Sequence, residues 1–332
     1  MKVSLVTGCA GFIGSHMIDY LLKRKHKVYG IDNLTSGKII NINANLKNSK
    51  FVFINSDLKN FKTISKKIKK IDYVFHFAGN GELIPSIEKP YKYFKNNALN
   101  TVLLLEILRN NYKIKKFLYA ASSTCYGLSK RKTSEKQKIN IQHPYAFSKY
   151  VGEQAVLHWG KVYNLPVISL RCFNIYGTRS RTTGTYGAVI GVFLGQKINN
   201  KPFTVVGDGN QKRDFTYVSD VVDAIIKSAK SKVKNQIFNI GSGKTISVNH
   251  LTKIIGGKKV YIPKRPGEPN VTFADINKIK KIIKWRPKIS IEDGMNKVLN
   301  EISYWKKAPV WTKSKIKVAT KNWFKYLGNK KK

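Results

Sequence analysis

Arginine and acidic side chains are scarce in this chain of 332 residues: nine of its 62 basic residues are arginine, and Asp and Glu together number 18. The formal charge is therefore +44, carried by lysines spread along the whole length among abundant Asn and Ile. Nucleic-acid surfaces gather arginine forks and interleaved aromatics into one patch. That pattern is missing, so the charge reads as solvated lysine faces with a general attraction for anions, and no nucleic-acid partner is expected. Cysteine is equally sparse. Cys9, Cys125 and Cys172 are odd in number and lack Cys-x-x-Cys spacing, which argues against a disulfide framework or a zinc site. They read as small buried side chains in a reducing compartment, and no metal is expected. No run of eighteen apolar residues occurs, and residues 1–7 pass straight into a strand pattern without the apolar core and cleavage site of a signal peptide. The expectation is a cytoplasmic protein with no membrane partner. A hydrophobic content of 42% belongs to a globular chain rather than a disordered one.

What is present begins with order. Residues 2–7 are β-rich and break at Gly8-Cys9-Ala10-Gly11-Phe12-Ile13-Gly14; Ser15 to Lys23 has an amphipathic helical pattern, and Lys27 to Ile31 is a second strand ending on Asp32. Strand, glycine turn, helix, strand and acid form a dinucleotide-binding unit. The glycines allow a tight turn, close approach of backbone amides to a pyrophosphate, and close helix packing, with the helix N-terminus facing the negative charge. Asp32, eighteen residues after Gly14, suits a ribose diol and repels a 2′-phosphate, so NAD is favoured over NADP.

The alternation continues with strands at 51–55, 73–77, 116–121 and 167–170 and a long helix from Tyr91 to Asn111, which predicts an α/β fold with a doubly wound parallel sheet. Ligands in such sheets bind at the carboxyl ends of the strands. Those ends carry Asp57, Ala78-Gly79, Ser122-Ser123-Thr124 and Asn174. Past residue 175 the alternation weakens and loops lengthen, notably Gly177 to Gly187, 207–211 and Pro263 to Pro269. Three parts are expected: a dinucleotide domain over 1–175, a smaller, partly interleaved substrate domain over 176–307, and a basic tail over 308–332. Short strands at 203–206 and 237–240 are expected to return to the large sheet, and Ser219-Asp220 to start a helix. The tail, with Trp311 and Trp323, carries no readable chemistry.

Pro144 to Glu153 is the candidate catalytic stretch. On a helix, Tyr145 and Lys149 share one face. A tyrosine ionises near pH ~10 in isolation, and a fixed positive charge beside it favours the phenolate, a general base.

Together with His76-Phe77-Ala78-Gly79, Ser122-Ser123-Thr124-Cys125-Tyr126-Gly127, Arg171 to Gly177, Gly207-Asp208-Gly209-x-Gln211-x-Arg213-Asp214-Phe215 and Arg265-Pro266-Gly267-Glu268, these motifs resemble, in order from about residue 2 to 300, the extended short-chain dehydrogenase/reductase family. The nearest branch is the NAD-dependent nucleotide-sugar epimerases, similar to UDP-glucose/galactose 4-epimerases. The resemblance implies a Rossmann-type fold and an isomerase that oxidises a nucleotide sugar, here a UDP-sugar, transiently at C4. It implies that Gly8, Gly11, Phe12, Ile13 and Gly14 hold the pyrophosphate of NAD, that Asp32 and Asn33 meet the adenosine ribose, and that Asp57 and Leu58 flank the adenine. Phe77, Ala78, Gly79 and Asn96 would line the path to the nicotinamide. Ser122, Tyr145 and Lys149 would be the catalytic triad, with Tyr145 and Lys149 also meeting NAD and Ser122 the sugar. Asn174, Arg213 and Arg265 would hold the substrate diphosphate. Related enzymes pair through a four-helix contact that includes the Tyr145 helix, which implies a homodimer.

Within the family, 4,6-dehydratases carry an Asp-Glu pair after the catalytic Thr, and UDP-glucuronate decarboxylases a Glu two positions after it. Here Ser123 and Thr124 stand there, which favours epimerisation. Gly81 stands where the galactose epimerase pattern places a lysine, leaving uronic acid and N-acetylated hexose substrates open; Arg179 and Arg181 could meet a carboxylate. From other classes, a basic nucleic-acid binder on a retained Rossmann frame and a non-catalytic NAD scaffold are the alternatives.

Overall fold

A computed structural model describes residues 1–129, 131–181 and 188–328. Residues 182–187 of the Gly177 to Gly187 loop noted above lie outside the described residues.

Seven short apolar segments pair in parallel into one sheet: β1 (Val3–Thr7), β2 (Lys27–Asp32), β3 (Phe51–Asn55), β4 (Tyr73–His76), β5 (Lys116–Ser122), β6 (Val167–Cys172) and β7 (Gln236–Ile240). Their order is β3-β2-β1-β4-β5-β6-β7, so the winding reverses between β1 and β4, and the ligand crevice of a doubly wound sheet opens at that point. Both faces are covered, which is why the strands read as nearly continuous apolar runs. Val6 turns to one face, where Met17, Ile18 and Leu21 of α1 (Phe12–Lys23) and the core residues of Val218–Lys230 pack. Leu5 turns to the other, against Leu104, Leu105 and Leu108 of α2 (Asn100–Asn111) and Val156 of α3 (Pro144–Val162). Each such fully buried side chain contributes about 1.5–3 kcal/mol.

The elements begin and end close to where the residue pattern puts them, with three informative differences. Helix α1 starts at Phe12 rather than Ser15, because Gly11 is the extended cap and Gly14 fits inside the first turn. The predicted long helix from Tyr91 is broken into Pro90–Phe94, a π turn over Lys95–Leu99, and α2. Phe203–Val206 does not return to the large sheet. It pairs with Lys259–Ile262, and Phe203 stacks on Phe193 at 4.9 Å within a separate core with Leu251, Met295 and Trp305; the place beside β6 is filled by β7. Further small sheets join Asn174–Tyr176 to Phe215–Tyr217, and Lys212–Arg213 to Ile246–Ser247 and Val271–Thr272. Among the described residues no helix is long and apolar enough to cross a membrane.

Candidate active site

At the carboxyl end of β1 the chain turns sharply, with Gly8 at φ +70°. A Cβ there would stand 2.8 Å from the Ala78 amide nitrogen, and one at Gly14 would strike the Gly8 carbonyl. The glycines thus let helix α1, strand β1 and the 77–79 turn approach one another, which leaves backbone amides facing the crevice. Asp32 is buried at the end of β2. One of its oxygens accepts the Ala10 amide at 2.9 Å and the other the Leu34 amide at 2.8 Å. Burial raises its pKa while these amide bonds oppose the rise. Asn33 donates to the Asp57 carboxylate at 2.9 Å, joining the ends of β2 and β3.

These pieces line a single cavity of about 570 Å³. Gly8, Gly11, Phe12, Ile13, Gly14, Asp32, Asn33, Asp57, Leu58, Phe77, Ala78, Gly79 and Asn96 all face it. The glycine cradle, which a Cβ would fill, and a carboxylate at the far end fit the pyrophosphate and the adenosine ribose of NAD. The cavity also takes Ser36, Lys38, Asn41 and Tyr304, which sequence motifs did not mark. Tyr304 donates to Asn41 Oδ1 at 2.8 Å across 263 positions, a separation at which local pattern carries no signal.

The π turn explains how the cofactor loop is tied to the catalytic helix. An extra residue in a helical turn re-aims side chains, and here Asn97 Oδ1 accepts the Asn80 amide at 2.7 Å while its Nδ2 donates to the Asn80 carbonyl at 3.0 Å and to Ser148 Oγ at 2.9 Å. Asn96 donates to Asn80 Oδ1 at 2.6 Å. His76, one residue before this loop, bridges Thr7 Oγ1 at 2.6 Å and Thr101 Oγ1 at 2.9 Å. Burial pushes its pKa down to about 3, so it is a neutral stitch between strand and helix.

Ser122 ends β5, and its hydroxyl pairs with Thr124 Oγ1 at 2.9 Å. Tyr145 lies in the first turn of α3, capped by His143, whose Nδ1 accepts the Ala146 amide at 3.2 Å. Burial raises the Tyr145 pKa, and hydrogen bonding with Ser122 pulls it back down. The Lys149 ammonium lies over the Tyr119 ring, 4.2 Å from the centroid, where the negative ring face receives it. Burial lowers the Lys149 pKa to about 8, with Cys172 and Glu153 opposing the fall. One helical turn on, Glu153 takes a bidentate bond from Arg171 of β6, with Nη2 to Oε2 at 2.7 Å and Nε to Oε1 at 3.0 Å, and Ser169 donates to Oε1 at 2.5 Å. Both ion-pair partners are buried. This clamp fixes the axis of α3 to the sheet.

Cys172 of β6 pairs in register with Ser122, so Asn174, two residues further, is carried past the same strand ends. Asn174 Oδ1 accepts from Thr272 at 2.7 Å, and Thr272 pairs with Arg213. Arg213 donates to Glu268 Oε1 at 2.9 Å, and Arg265 donates to Glu268 Oε2 at 2.8 Å. One carboxylate thus holds both guanidinium groups in place. Ser122, Tyr145, Lys149, Asn174, Arg213 and Arg265 do not line the large cavity, which reaches only to Gly81 and Asn96 on that side. Arg179 and Arg181 do line it, each already paired: Arg179 with Asp19 at 2.7 Å, and Arg181 with Glu82.

Comparison with known proteins sets this geometry among relatives. The profile of the NAD dependent epimerase/dehydratase family matches residues 4–241. A UDP-glucuronate 4-epimerase of Thermodesulfobacterium geofontis is 33% identical over 333 residues, spanning 96% of this chain and 100% of that relative. The crystal structure of UDP-glucuronic acid 4-epimerase from Bacillus cereus, in complex with UDP-glucuronic acid and NAD, superimposes with a TM-score of 0.84 at 32% identity, over 91% of this chain and 99% of that one. UDP-N-acetylglucosamine 4-epimerase from Methanobrevibacter ruminantium M1, in complex with UDP-N-acetylmuramic acid, gives a TM-score of 0.84 at 34% identity, over 92% and 97%.

Proposed function

The chain belongs to the NAD dependent epimerase/dehydratase family, and from that premise we propose that it is an NAD-dependent UDP-sugar 4-epimerase, with Ser122, Tyr145 and Lys149 as its catalytic residues. The observation that carries the reading is the dinucleotide-shaped cavity with its glycine cradle, together with Ser122 at the end of β5 bonded to Thr124 and hydroxyls rather than carboxylates at the next two positions. A dehydratase or decarboxylase needs added proton chemistry next to the sugar; the Ser122–Thr124 pair offers neutral hydrogen bonds only.

When bound, NAD takes hydride from C4 of the sugar and returns it to the opposite face. The chain's own residues manage the proton and the position. Tyr145 removes the proton of the 4-hydroxyl and later restores it, with Ser122 sharing a hydrogen bond with that oxygen. The buried Lys149 supplies a nearby positive charge that favours a phenolate over a phenol. Lys149 also donates to the nicotinamide ribose. Gly8, Gly11 and Gly14 offer backbone amides to the pyrophosphate, and Asp32 accepts from the ribose diol. Asn174, Arg213 and Arg265 hold the substrate diphosphate while the sugar turns. Glu268 keeps the two arginines fanned before the anion arrives.

The substrate reading extends to assembly and location. Phe147 on α3 is half-exposed and stacks on Phe94 at 6.0 Å, with Leu99 and Val162 also exposed. These apolar side chains on the α3 side support a homodimer through paired helices, and light scattering after gel filtration tests it. Three free thiols suit a reducing compartment supplied with NAD, hence the cytoplasm. The functional test is incubation of purified protein with UDP-hexoses, UDP-N-acetylhexosamines and UDP-uronic acids, followed by NMR. Inversion at C4 is expected; loss of carbon dioxide or of the C6 oxygen instead would replace epimerase by one of the other family reactions.

A further inference from the structure

We propose that the C-terminal helix Lys321–Gly328 is a strap that holds the Arg265 loop against the start of the catalytic helix, with Trp323 as its positioning residue; this rests on reading the cleft as a nucleotide-sugar site. The loop over 263–269 contains Pro263, Pro266 and Pro269, and proline removes an amide donor at each, so side chains from elsewhere must hold it. Trp323 supplies such a hold. Its Nε1 donates to the Pro266 carbonyl at 2.7 Å, one residue from Arg265. The indole is only 4% exposed. Its ring also packs on His143 at 6.0 Å, and His143 is stacked on Tyr145, 6.0 Å away with 4° between the planes. Burial pushes the His143 pKa down to about 4, so the ring is a neutral spacer at ordinary pH. Asn322, beside the indole, donates to Glu88 Oε1 at 3.2 Å. One helix thereby touches the loop that carries a diphosphate arm, the cap of the helix that carries the base, and the short helix Ile84–Glu88 following the cofactor loop.

The strap is itself anchored. Ile316 of the preceding helix Lys313–Ala319 is buried in the second core with Trp305, and the Trp311 carbonyl accepts from Gln196 at 2.7 Å. A segment whose only task was solubility would not bury Trp323 against a substrate-side loop. Its mechanical effect is to set the distance between the diphosphate arm and Tyr145, which determines whether the sugar at the end of a bound nucleotide meets the base.

The experiment uses the full chain with Trp323→Ala, Trp323→Phe and the exposed neighbour Tyr326→Ala as control. Hydrogen exchange is followed at 264–268 and at 143–147, UDP binding by calorimetry, and steady-state kinetics with the UDP-sugar that the wild type inverts. In Trp323→Ala, exchange at 264–268 should quicken, UDP should bind about tenfold more weakly, and KM should rise about tenfold while kcat falls less than about threefold. Retained NAD should be unchanged. Trp323→Phe, which keeps the ring and loses the bond to Pro266, should fall between, and Tyr326→Ala should match the wild type. Unchanged exchange at 264–268 in Trp323→Ala, or an equal loss in the Tyr326→Ala control, overturns the strap. A wild type that binds no UDP overturns the reading of the cleft, and the exchange comparison then still decides the strap.

Discussion

Replacing Lys149 by Met should make the protein more stable and nearly inactive. Lys149 is 8% exposed, and burial lowers its pKa from 10.5 to about 8. At about 1.36 kcal/mol per pH unit, the folded chain gives up roughly 3 kcal/mol to keep this ammonium charged at neutral pH. The lowered value means that between pH 8 and 10.5 the unfolded chain binds more protons than the folded one. Stability from this group therefore rises with pH across that window, and the penalty is fully present below it. Methionine has similar length and no charge to desolvate, but forfeits the contact with the Tyr119 ring, worth about 0.5–2 kcal/mol. The net gain at pH 7 should be about 1–3 kcal/mol. Denaturant unfolding of nucleotide-stripped protein at pH 7 and at pH 9.5 measures it, the buried tyrosines titrating alike in both chains. The variant should be the more stable at pH 7, with the gap closing by pH 9.5, and turnover should fall at least about a hundredfold. A variant less stable at pH 7, or a gap that does not change with pH, would refute the assignment of Lys149 as a charge kept at a cost for catalysis.

Three further outcomes follow from the same contacts. Tyr145→Phe should cost about three orders of magnitude or more in kcat while NAD is retained, since a phenyl ring fills the site without a proton acceptor; near-normal turnover rejects the base. Asp32→Ala should weaken NAD binding at least about tenfold, read by fluorescence titration, and narrow its preference over NADP by removing the charge that repels a 2′-phosphate; an unchanged NAD/NADP ratio rejects that role. Arg171→Ala should destabilise the fold by about 3–5 kcal/mol because Glu153 would be left buried and unpaired, and an Arg171→Ala, Glu153→Gln double variant should recover part of the loss in the same denaturation assay.

Much of the frame is legible from residue order because it rests on local rules. The apolar runs of β1 to β6, the glycines after β1 and the acid that ends β2 announce themselves within a few positions. The resemblance then marks the cavity residues, which face one crevice because the strand order reverses between β1 and β4. What stayed hidden depends on contacts between distant positions. The ring that receives the Lys149 ammonium is Tyr119, on a strand of the sheet thirty positions earlier. The π turn that aims Asn97 at Asn80 and Ser148 leaves no mark in hydrophobic periodicity. Tyr304, at the end of the substrate part, and Trp323, in the lysine-rich tail, each close on a segment far away in sequence, Tyr304 on Asn41 and Trp323 on Pro266. The pairing of Phe203–Val206 with Lys259–Ile262 likewise follows from a second core, not from strand propensity.

The most direct measurement of the central claim uses a UDP-sugar carrying deuterium at C4, turned over in ordinary water with no added nicotinamide nucleotide and followed by NMR. Transient oxidation at C4, with Tyr145 handling the hydroxyl proton, predicts an inverted C4 that keeps its deuterium through many turnovers. Inversion with loss of the label to solvent, or no inversion with any UDP-sugar, would contradict it.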